Sequence, residues 1–413
     1  MPLLDRRCWE GFAVSRWPAG GLLEVLQRVP DPRGRYGKRH PLSAMLAAVV
    51  CATLCGFRGL QPVVQWLQLH GPAMWHLLGF RRRPPVRQTY ANVLAELDPE
   101  LLEGLLLEFV EQCEVPLEPS SVSSKASPST SEQSVAPSDV EIWDGKTLRG
   151  TRRGDQRAEQ VLVRMQRALG RVLSSHAIPA NTNEPAVALE LVKRLVRKGQ
   201  WIVADAAYCQ RELCEAVVKK EADYLVTVKR NQPQLLRDIE QACVIPEGFS
   251  PYRAREALAQ QQTATTTEKN RGRIETRTVT TTTATIDDDY LDWPGAQQLI
   301  RLHRHTKLAN GSIRESTTYA ITSLPRAKAD AACLLNHLRG RWHIENRAFH
   351  VLDVTLGDDA NRTRTGHAPR VLHAIRDLAL NLARRFAQST PNLCREHALK
   401  PNLLLNRLRI FKN

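Results

Sequence analysis

The chain has 413 residues, 42% hydrophobic and 24% charged, which is typical of a soluble globular protein large enough for two or three domains. Its 58 Lys and Arg against 43 Asp and Glu give a net charge of +15, so we expect a polyanionic partner, nucleic acid before an anionic membrane surface. The longest uncharged apolar run, residues 41–57, is too short to span a bilayer, which argues against a membrane protein.

The cysteines and the first residues both indicate a reducing compartment. The chain has nine cysteines and no Cys-x-x-Cys pair, and Cys51, Cys55, Cys209 and Cys214 lie beside helical patterns, which favours buried thiols over metal ligands. The opening stretch MPLLDRRCWE mixes acids with cations and has no apolar segment of the secretory type. We therefore expect a cytoplasmic protein, associated with the nucleoid if nucleic acid is its partner.

Residues 20–113 carry apolar residues at helical spacing, interrupted by PDPRGRYGKRHP (30–41) and RRRPPVRQTY (81–90). Short helices joined by Arg-rich turns suit a small DNA-binding domain, and they suit a plain helical cap equally well. Arg81, Arg82 and Arg83 are the candidate phosphate contacts. We predict a helical N-terminal domain over residues 1–115.

Residues 116–138 are rich in Ser and Pro and almost devoid of apolar side chains. Such a segment cannot bury enough apolar surface to offset the entropy of ordering, so we expect a disordered linker at a domain boundary.

The remaining chain alternates strands with helices, which predicts an α/β core over residues 139–390. DVEIW (139–143) ends at Asp144, QWIVADAAY (200–208) contains Asp205, and ADYLVTVK (222–229) follows as a further strand. A Thr-rich, β-branched block at about 245–324 predicts an inserted β-rich subdomain. Residues 326–352 and 370–388 have helical spacing, and we expect a basic tail over 391–413.

Two aspartates stand at the ends of predicted strands. Because neighbouring strands lie only about 5 Å apart, Asp144 and Asp205 would converge, and two carboxylates at that distance need a cation between them. Mg²⁺ is a hard ion that prefers such oxygens, and a third carboxylate, for which Glu345 is the candidate, would complete a site for two ions. Arg341 lies one turn before Glu345.

Ordinary structural roles explain these residues as well. Asp144 fits a solvated basic turn with Lys146, Arg149, Arg152 and Arg153. Asp205 fits a helix N-cap, and Arg341 with Glu345 fits a simple i,i+4 ion pair.

Four ordered motifs resolve the ambiguity through resemblance. WDGKTLRG (143–150), the stretch from VADAAYCQ to VKRNQ (203–232), GRIETR (272–277) and the stretch from RWHIENR to GHAP (341–369) closely resemble the DDE insertion-sequence transposases. Within these they are similar to the ISAs-type group, which includes the H-repeat-associated proteins. The similarity covers residues 24–388, including PDPRGRYGKRHPL near the N-terminus.

The resemblance implies an RNase H-like core, a mixed five-stranded sheet flanked by helices, with the β-rich insertion placed before the catalytic glutamate. It matches the catalytic and metal-binding triad to Asp144, Asp205 and Glu345. It implies two Mg²⁺ ions, for which Mn²⁺ would substitute. It further implies binding of terminal inverted repeats, DNA cleavage and strand transfer to target DNA, performed by a homodimer once DNA is bound.

This sequence departs from the wider family at some motif positions. Leu338 and Leu352 replace the Tyr and the Lys that flank the catalytic glutamate, and Arg271 stands where a His is usual. Tyr208 occupies a variable position. None of these changes removes a metal ligand, so we expect an intact active site. The alternatives are a catalytically silent DNA-binding protein descended from a transposase, and a nuclease that cuts without joining.

Several polar residues are assigned less sharply. Contacts with DNA are expected from Lys146, Arg149, Lys229, Asn231, Gln232, Arg273 and Arg341, although an exposed strand end would explain 229–232 without any such contact. Arg273, Glu275 and Arg277 alternate and would share one strand face, either solvated or phosphate-binding. Asn183 and Glu184 match a family motif or cap a helix. Trp293 is a core residue or, less expectedly, stacks on an unpaired base.

Overall fold

A computed structural model describes residues 20–113, 140–243, 260–270, 272–283 and 291–410. The predicted linker at 116–138 and Arg271 lie outside the described residues, as do parts of the expected β-rich insertion.

The N-terminal segment is helical, as the sequence predicts. Its helices are α1 (Leu22–Gln27), α2 (Leu42–Leu54), α3 (Leu60–Leu77), α4 (Arg87–Glu96) and α5 (Pro99–Gln112). The start of α5 shows the local cause: the carboxylate of Asp98 accepts the backbone N–H groups of Glu100 and Leu101, and Pro99 fills the first helical position, where its missing N–H costs nothing.

A mixed sheet forms the centre of the molecule. Its first five strands are β1 (Val140–Thr147), β2 (Gln160–Gln166), β3 (Arg171–Ile178), β4 (Trp201–Ala204) and β5 (Asp223–Val228). They lie in the order β3-β2-β1-β4-β5, with β1, β4 and β5 parallel and β2 antiparallel to both of its neighbours. The α/β class predicted from the sequence is confirmed.

The strands of the Thr-rich block extend this same sheet. They are β6 (Gln261–Asn270), β7 (Arg273–Thr282), β8 (Gln298–Lys307) and β9 (Ile313–Thr322). β9 pairs antiparallel with β5 from Leu225↔Thr322 to Val228↔Tyr319, which gives nine strands in the order β3-β2-β1-β4-β5-β9-β8-β7-β6. The expected five-stranded sheet beside an inserted subdomain is therefore seen as one continuous sheet, because the last inserted strand completes the hydrogen bonding of β5.

Helices cover both faces of the core sheet. α6 (Glu184–Leu195), α7 (Arg211–Lys219) and α8 (Pro233–Ala242) pack on one face against residues such as Trp143 and Tyr224. α9 (Ala331–Gly340) and α10 (Ala368–Arg385) bury residues on the other face. Successive strand residues therefore face opposite helical layers.

The N-terminal helices share a hydrophobic core with the C-terminal ones. Residues of α1–α5 pack in one cluster with α10, α11 (Thr390–Leu399) and α12 (Pro401–Arg407). This differs from a separate all-α N-terminal domain and from a basic tail at 391–413. The reason is that Leu393, Leu404 and Leu405 are buried, so the charges of this segment cover an apolar face.

The long helix expected over 326–352 is divided. α9 ends at Gly340, and the chain continues as π-helical segments Ile344–Phe349 and Val351–Thr355. Helical turns of this wide type are uncommon and occur frequently at functional sites, and this one contains Glu345. Among the described helices, none combines the length and the hydropathy needed to cross a bilayer.

Candidate active site

The sheet brings Asp144 and Asp205 side by side. The parallel pairing of β1 with β4 runs from Val140↔Trp201 to Trp143↔Ala204, so the two aspartates are the next residues of the two strands. β1 continues past Asp144 to Thr147, beyond the strand end predicted from the sequence, because β2 still pairs with it there. The register thus places both carboxylates at one edge of the sheet, as the sequence predicts.

A short 3₁₀ turn holds Asp205. One oxygen, Oδ1, accepts the backbone N–H of Ala207 at 2.7 Å, so Asp205 is an N-cap as well as a member of the site. The amide of Asn231 donates to the carbonyl of Ala206 at 2.7 Å, and that of Gln232 donates to the carbonyl of Cys209 at 3.0 Å. Asn231 and Gln232, expected to contact DNA, therefore brace the turn that carries Asp205.

Glu345 faces the two aspartates across a cavity. Asp144, Asp205 and Glu345 all line this cavity, whose volume is about 880 Å³. Seven cations among the described residues also line it. They come from β7–β9, from α9 and from the residues that directly follow β5 and α9: Lys229, Arg273, Arg277, Arg304, Arg314, Arg339 and Arg341. The sequence-predicted triad is thus gathered in one basic-walled cleft.

The three acids interact electrostatically. Burial raises the pKa of Asp144 to about 7; Arg341 opposes this rise, whereas Asp205, Glu184 and Glu345 add to it. Three neighbouring carboxylates thus repel the ionised form of Asp144, and the guanidinium of Arg341 offsets only part of this repulsion. Such an arrangement is typical of sites that bind cations or handle protons.

Glu184 is a fourth carboxylate beside the triad. Asn183 caps α6 by accepting the N–H of Ala186 at 3.0 Å, and Glu184 occupies the first turn of that helix. A Cβ at Gly145 would lie 2.4 Å from Oε2 of Glu184, so the carboxylate approaches β1 this closely only because residue 145 is glycine. Asn183 is therefore a helix cap, one of the two roles left open from the sequence, and Glu184 lies beside the triad.

The β7 residues singled out by their alternation do share a face. Arg273, Glu275 and Arg277 all line the cavity. Glu275 is buried and lies 2.9 Å from Arg277 and 3.8 Å from Arg304. Arg277 is therefore committed to an ion pair, whereas Arg273 lies 3.9 Å from Glu275 and half of its side chain is exposed.

The resemblance implies a bound Mg²⁺, for which the triad carboxylates are the candidate ligands. Within the described ranges, no group of three or more His, Cys, Asp or Glu side chains lies close enough to hold a metal ion as those side chains stand. The triad nevertheless offers carboxylate oxygens alone to one cavity, and mutual repulsion contributes to the raised pKa of Asp144. Oxygen donors of this kind fit Mg²⁺ or Mn²⁺.

Lys146 does not face the cleft. Its side chain is 4% exposed, and its Nζ lies 2.5 Å from Asp353 and 3.8 Å from Asp358. Asp358 in turn accepts hydrogen bonds from His373 at 2.9 Å and Arg376 at 2.8 Å. The expectation that Lys146 contacts DNA is wrong for this arrangement, because a buried ammonium with two acidic partners cannot reach a phosphate.

Other predicted DNA contacts lie at the surface. The Arg149 side chain is 80% exposed and only loosely paired with Asp359 at 3.6 Å. Lys229 is exposed at the end of β5 and lines the cavity, and Arg152 and Arg153 are exposed as well.

The tryptophan that lines the cleft is Trp342, whereas Trp293 has the core role favoured for it from the sequence. Trp293 is half-buried and packs against the α6–α8 side of the sheet, which agrees with its reading as a core residue. Trp342 lines the cavity, is 47% exposed, and lies 5.1 Å from the Arg341 guanidinium. The sequence contained one signal for this, a tryptophan between the motif residues Arg341 and Glu345.

Comparisons with known proteins identify the family of this chain. The family described as Transposase DDE domain matches residues 142–382, and the family described as DDE_Tnp_1-associated matches residues 23–110. "Putative transposase YncI" of Escherichia coli O157:H7 is 29% identical over 380 residues, covering 88% of this chain and 87% of that protein. "H repeat-associated putative transposase YhhI" of Escherichia coli K12 is 24% identical over 370 residues, covering 87% and 89%.

Among solved structures, a piggyBac transposase synaptic complex with hairpin DNA matches 94% of this chain and 78% of its own, at 10% identity and a TM-score of 0.43. The family match, however, spans more than half of the chain and includes all three residues of the triad. The chain therefore belongs to the DDE transposase family.

Proposed function

We propose that this chain binds the terminal inverted repeats of an insertion sequence, cleaves DNA at those ends and joins them to target DNA. The observation that carries the proposal is the convergence of Asp144, Asp205 and Glu345 on one cavity walled by cations. Acids alone would repel a phosphodiester, and cations alone would only bind it, so the combination favours chemistry on a polyanion.

We also propose that strands β3-β2-β1-β4-β5 form an RNase H-like core. Support comes from their mixed order and from the location of the two aspartates at the ends of the adjacent parallel strands β1 and β4. In this arrangement β6–β9 extend the core sheet, and β7–β9 supply four arginines of the basic wall of the cleft.

Each polar residue of the cleft then has a role. Asp144, Asp205 and Glu345 would hold two divalent cations, which when bound supply an activated oxygen nucleophile and charge stabilisation for the leaving oxygen. Arg341 moderates the repulsion at Asp144. Asn231 and Gln232 fix the turn that aims Asp205. Lys229, Arg273 and Arg304 would position the DNA backbone through its phosphates.

The proposed reaction has two steps that exchange one phosphorus–oxygen bond for another. In the first, a water oxygen attacks the phosphorus at the transposon end, and the bond to the 3′-oxygen breaks, leaving a 3′-hydroxyl and a 5′-phosphate. In the second, that 3′-hydroxyl attacks a target phosphodiester and displaces the target's own 3′-oxygen. Neither step requires a covalent intermediate with the protein.

The N-terminal helices are proposed to bind the inverted repeats, with Arg81, Arg82 and Arg83, all exposed, among the phosphate contacts. Because two ends must be held together for joining, we propose a homodimer on DNA.

One experiment separates transposase, nuclease and silent binding protein. Labelled duplexes carrying the sequences that flank the coding region would be incubated with the protein and Mg²⁺, alongside the Asp205→Ala variant. We expect cleaved and joined products from the wild-type protein and neither from the variant. Binding without Mg²⁺-dependent cleavage would refute the enzyme, cleavage without joining would indicate a nuclease, and equal cleavage by the variant would refute the site.

A further inference from the structure

The loop formed by residues 31–40, here the 31–40 loop, is held rigidly by one of its own arginines. Nε and Nη2 of Arg33 donate to the two carboxylate oxygens of Asp31 at 2.9 and 2.8 Å. Nη2 also donates to the carbonyl of His40 at 2.8 Å. The Arg33 side chain is 9% exposed, so this cation organises the loop and is withdrawn from solvent.

The residues between these anchors are turned outward. Arg35, Tyr36, Lys38 and Arg39 are all exposed, and Tyr36 is 96% exposed, more than any other large hydrophobic side chain among the described residues. No carboxylate of the described residues lies within 4.0 Å of the three cations. A fully exposed aromatic ring beside three cations with no described carboxylate within 4.0 Å contributes little to the fold and is available to contact an anionic partner.

A second basic loop, residues 81–86, lies beside the first. Arg81, Arg82 and Arg83 are exposed there, between the buried residues Phe80 and Pro85. The ring of His40, at the end of the 31–40 loop, meets the ring of Phe80 edge to face at 5.9 Å. Burial lowers the pKa of His40, and Arg82 lowers it further, more than Arg33 or Arg39 does, which places the two loops within electrostatic reach of each other.

We propose that the 31–40 loop and the 81–86 loop together form one surface for duplex DNA, in which Arg35, Lys38 and Arg39 contact phosphates and the Tyr36 ring contacts sugars or base edges. This rests on the proposed function and deepens it by naming the element that approaches the DNA groove.

Charge and shape favour duplex DNA over an acidic protein. Six exposed cations on two neighbouring loops suit a regular line of phosphates. The hydrogen bonds of Arg33 fix the 31–40 loop before binding, so the loop loses little conformational entropy when it binds. This suits an element that enters a groove of the DNA. The exposed ring of Tyr36 adds a contact that does not depend on charge.

Three variants of the full chain test the surface, with a fluorescein-labelled duplex from the flanks of the coding region as probe and fluorescence anisotropy as readout. They are the triple variant Arg35→Gln/Lys38→Gln/Arg39→Gln, and the single variants Tyr36→Ala and Tyr36→Phe. The matched control is Arg197→Gln/Lys198→Gln/Lys220→Gln, which removes the same charge from three exposed cations elsewhere. All substituted side chains are exposed, so each protein should fold, and circular dichroism would verify this.

The triple loop variant should reduce the slope of log K against log salt by up to about 2.7, since each lost phosphate contact contributes about 0.9. Tyr36→Ala should weaken binding by about ten- to 100-fold with the salt slope unchanged, as expected for the loss of a buried aromatic ring, and Tyr36→Phe should bind like wild type. The control should change the slope far less than the loop variant.

Unchanged DNA binding by the loop variants, with a wild-type protein that binds the duplex, would overturn this surface and leave the proposed function standing; the loops would then suit an acidic protein partner instead. Equal losses in the loop and control variants would also overturn it. A wild-type protein that binds no duplex would refute both proposals.

Discussion

Substitution of Asp358 by asparagine should destabilise the protein strongly while preserving the shape of the side chain. Asp358 is 3% exposed and is shared by three cations: His373 at 2.9 Å, Arg376 at 2.8 Å and Lys146 at 3.8 Å. Removal of one partner from a buried ion pair typically costs about 3–5 kcal/mol, because the remaining charge is left uncompensated. Asp353 still pairs with Lys146, so we expect the lower end, about 3 kcal/mol.

The same variant should change how stability depends on pH. Burial lowers the pKa of His373, but Asp377 and Asp358 more than offset this and raise it from 6.5 to about 9. Because the folded-state pKa is the higher one, this stabilisation, roughly 3 kcal/mol, is fully present below pH 6.5 and is lost as the pH rises through 9. Without Asp358, the free energy of unfolding should fall less between pH 6.5 and pH 9 than it does in the wild-type protein.

Urea unfolding followed by circular dichroism, at about pH 6 and about pH 9.5, measures both effects. Asp359→Asn is the matched control: its carboxylate pairs only with the 80%-exposed Arg149 at 3.6 Å, and such a pair contributes about 0–1 kcal/mol. Glu103, whose burial raises its pKa to about 8, and Asp377 both interact with His373, so the two pH values compare the titration of this whole cluster. Equal stabilities for Asp358→Asn and Asp359→Asn, or an undiminished pH dependence, would refute this reasoning.

Three further outcomes follow from the geometry. Lys146→Ala should lower the free energy of unfolding by about 3 kcal/mol and leave the salt slope of DNA binding unchanged, since Lys146 is buried against acids; a reduced slope would contradict its placement. The double variant Asn231→Ala/Gln232→Ala should slow single-turnover cleavage by about 10- to 100-fold with DNA affinity retained, because these amides only brace the Asp205 turn. Trp342→Ala should weaken binding of DNA to the cleft with little effect on melting temperature. Trp293→Ala should lower the melting temperature with little effect on DNA binding. Thermal melts and fluorescence anisotropy would check both.

The triad was accessible from the sequence because its signals are local. Asp144 follows an apolar strand pattern, Asp205 lies within another, and both belong to recognisable motifs. Parallel strands end at a common side of the sheet, so strand assignment predicted the convergence of Asp144 and Asp205, whereas the choice of Glu345 depended on the motif around it. The hydrophobic pattern could not show which residues of the two strands pair; the register Trp143↔Ala204 shows that Asp144 and Asp205 are adjacent.

The role of Lys146 was inaccessible for the opposite reason. Its partners, Asp353 and Asp358, are more than 200 positions away along the chain, so its basic neighbours suggested an exposed turn. The bracing role of Asn231 and Gln232 was inaccessible likewise, because the carbonyls that accept from their amides come near them only in the folded chain.

Long-range packing also decided the layout of the fold. The Thr-rich block was recognised as β structure, yet its union with the core sheet depends on the pairing of Val228 with Tyr319, about ninety residues apart. The C-terminal residues looked like a tail because their charge was evident, whereas the burial of Leu393 and Leu404 against the N-terminal helices depends on tertiary contacts.

The central claim, that Asp144, Asp205 and Glu345 form a divalent-cation site, is tested most directly by Mn²⁺ binding measured with electron paramagnetic resonance. The variants are Asp144→Asn, Asp205→Asn and Glu345→Gln, and the controls are Glu268→Gln and Glu275→Gln, acids that line the same cavity but pair with arginines. Each triad variant should bind Mn²⁺ about tenfold or more weakly, and both controls should bind it like wild type. Wild-type affinity in the triad variants, or equal loss in the controls, would contradict the assignment.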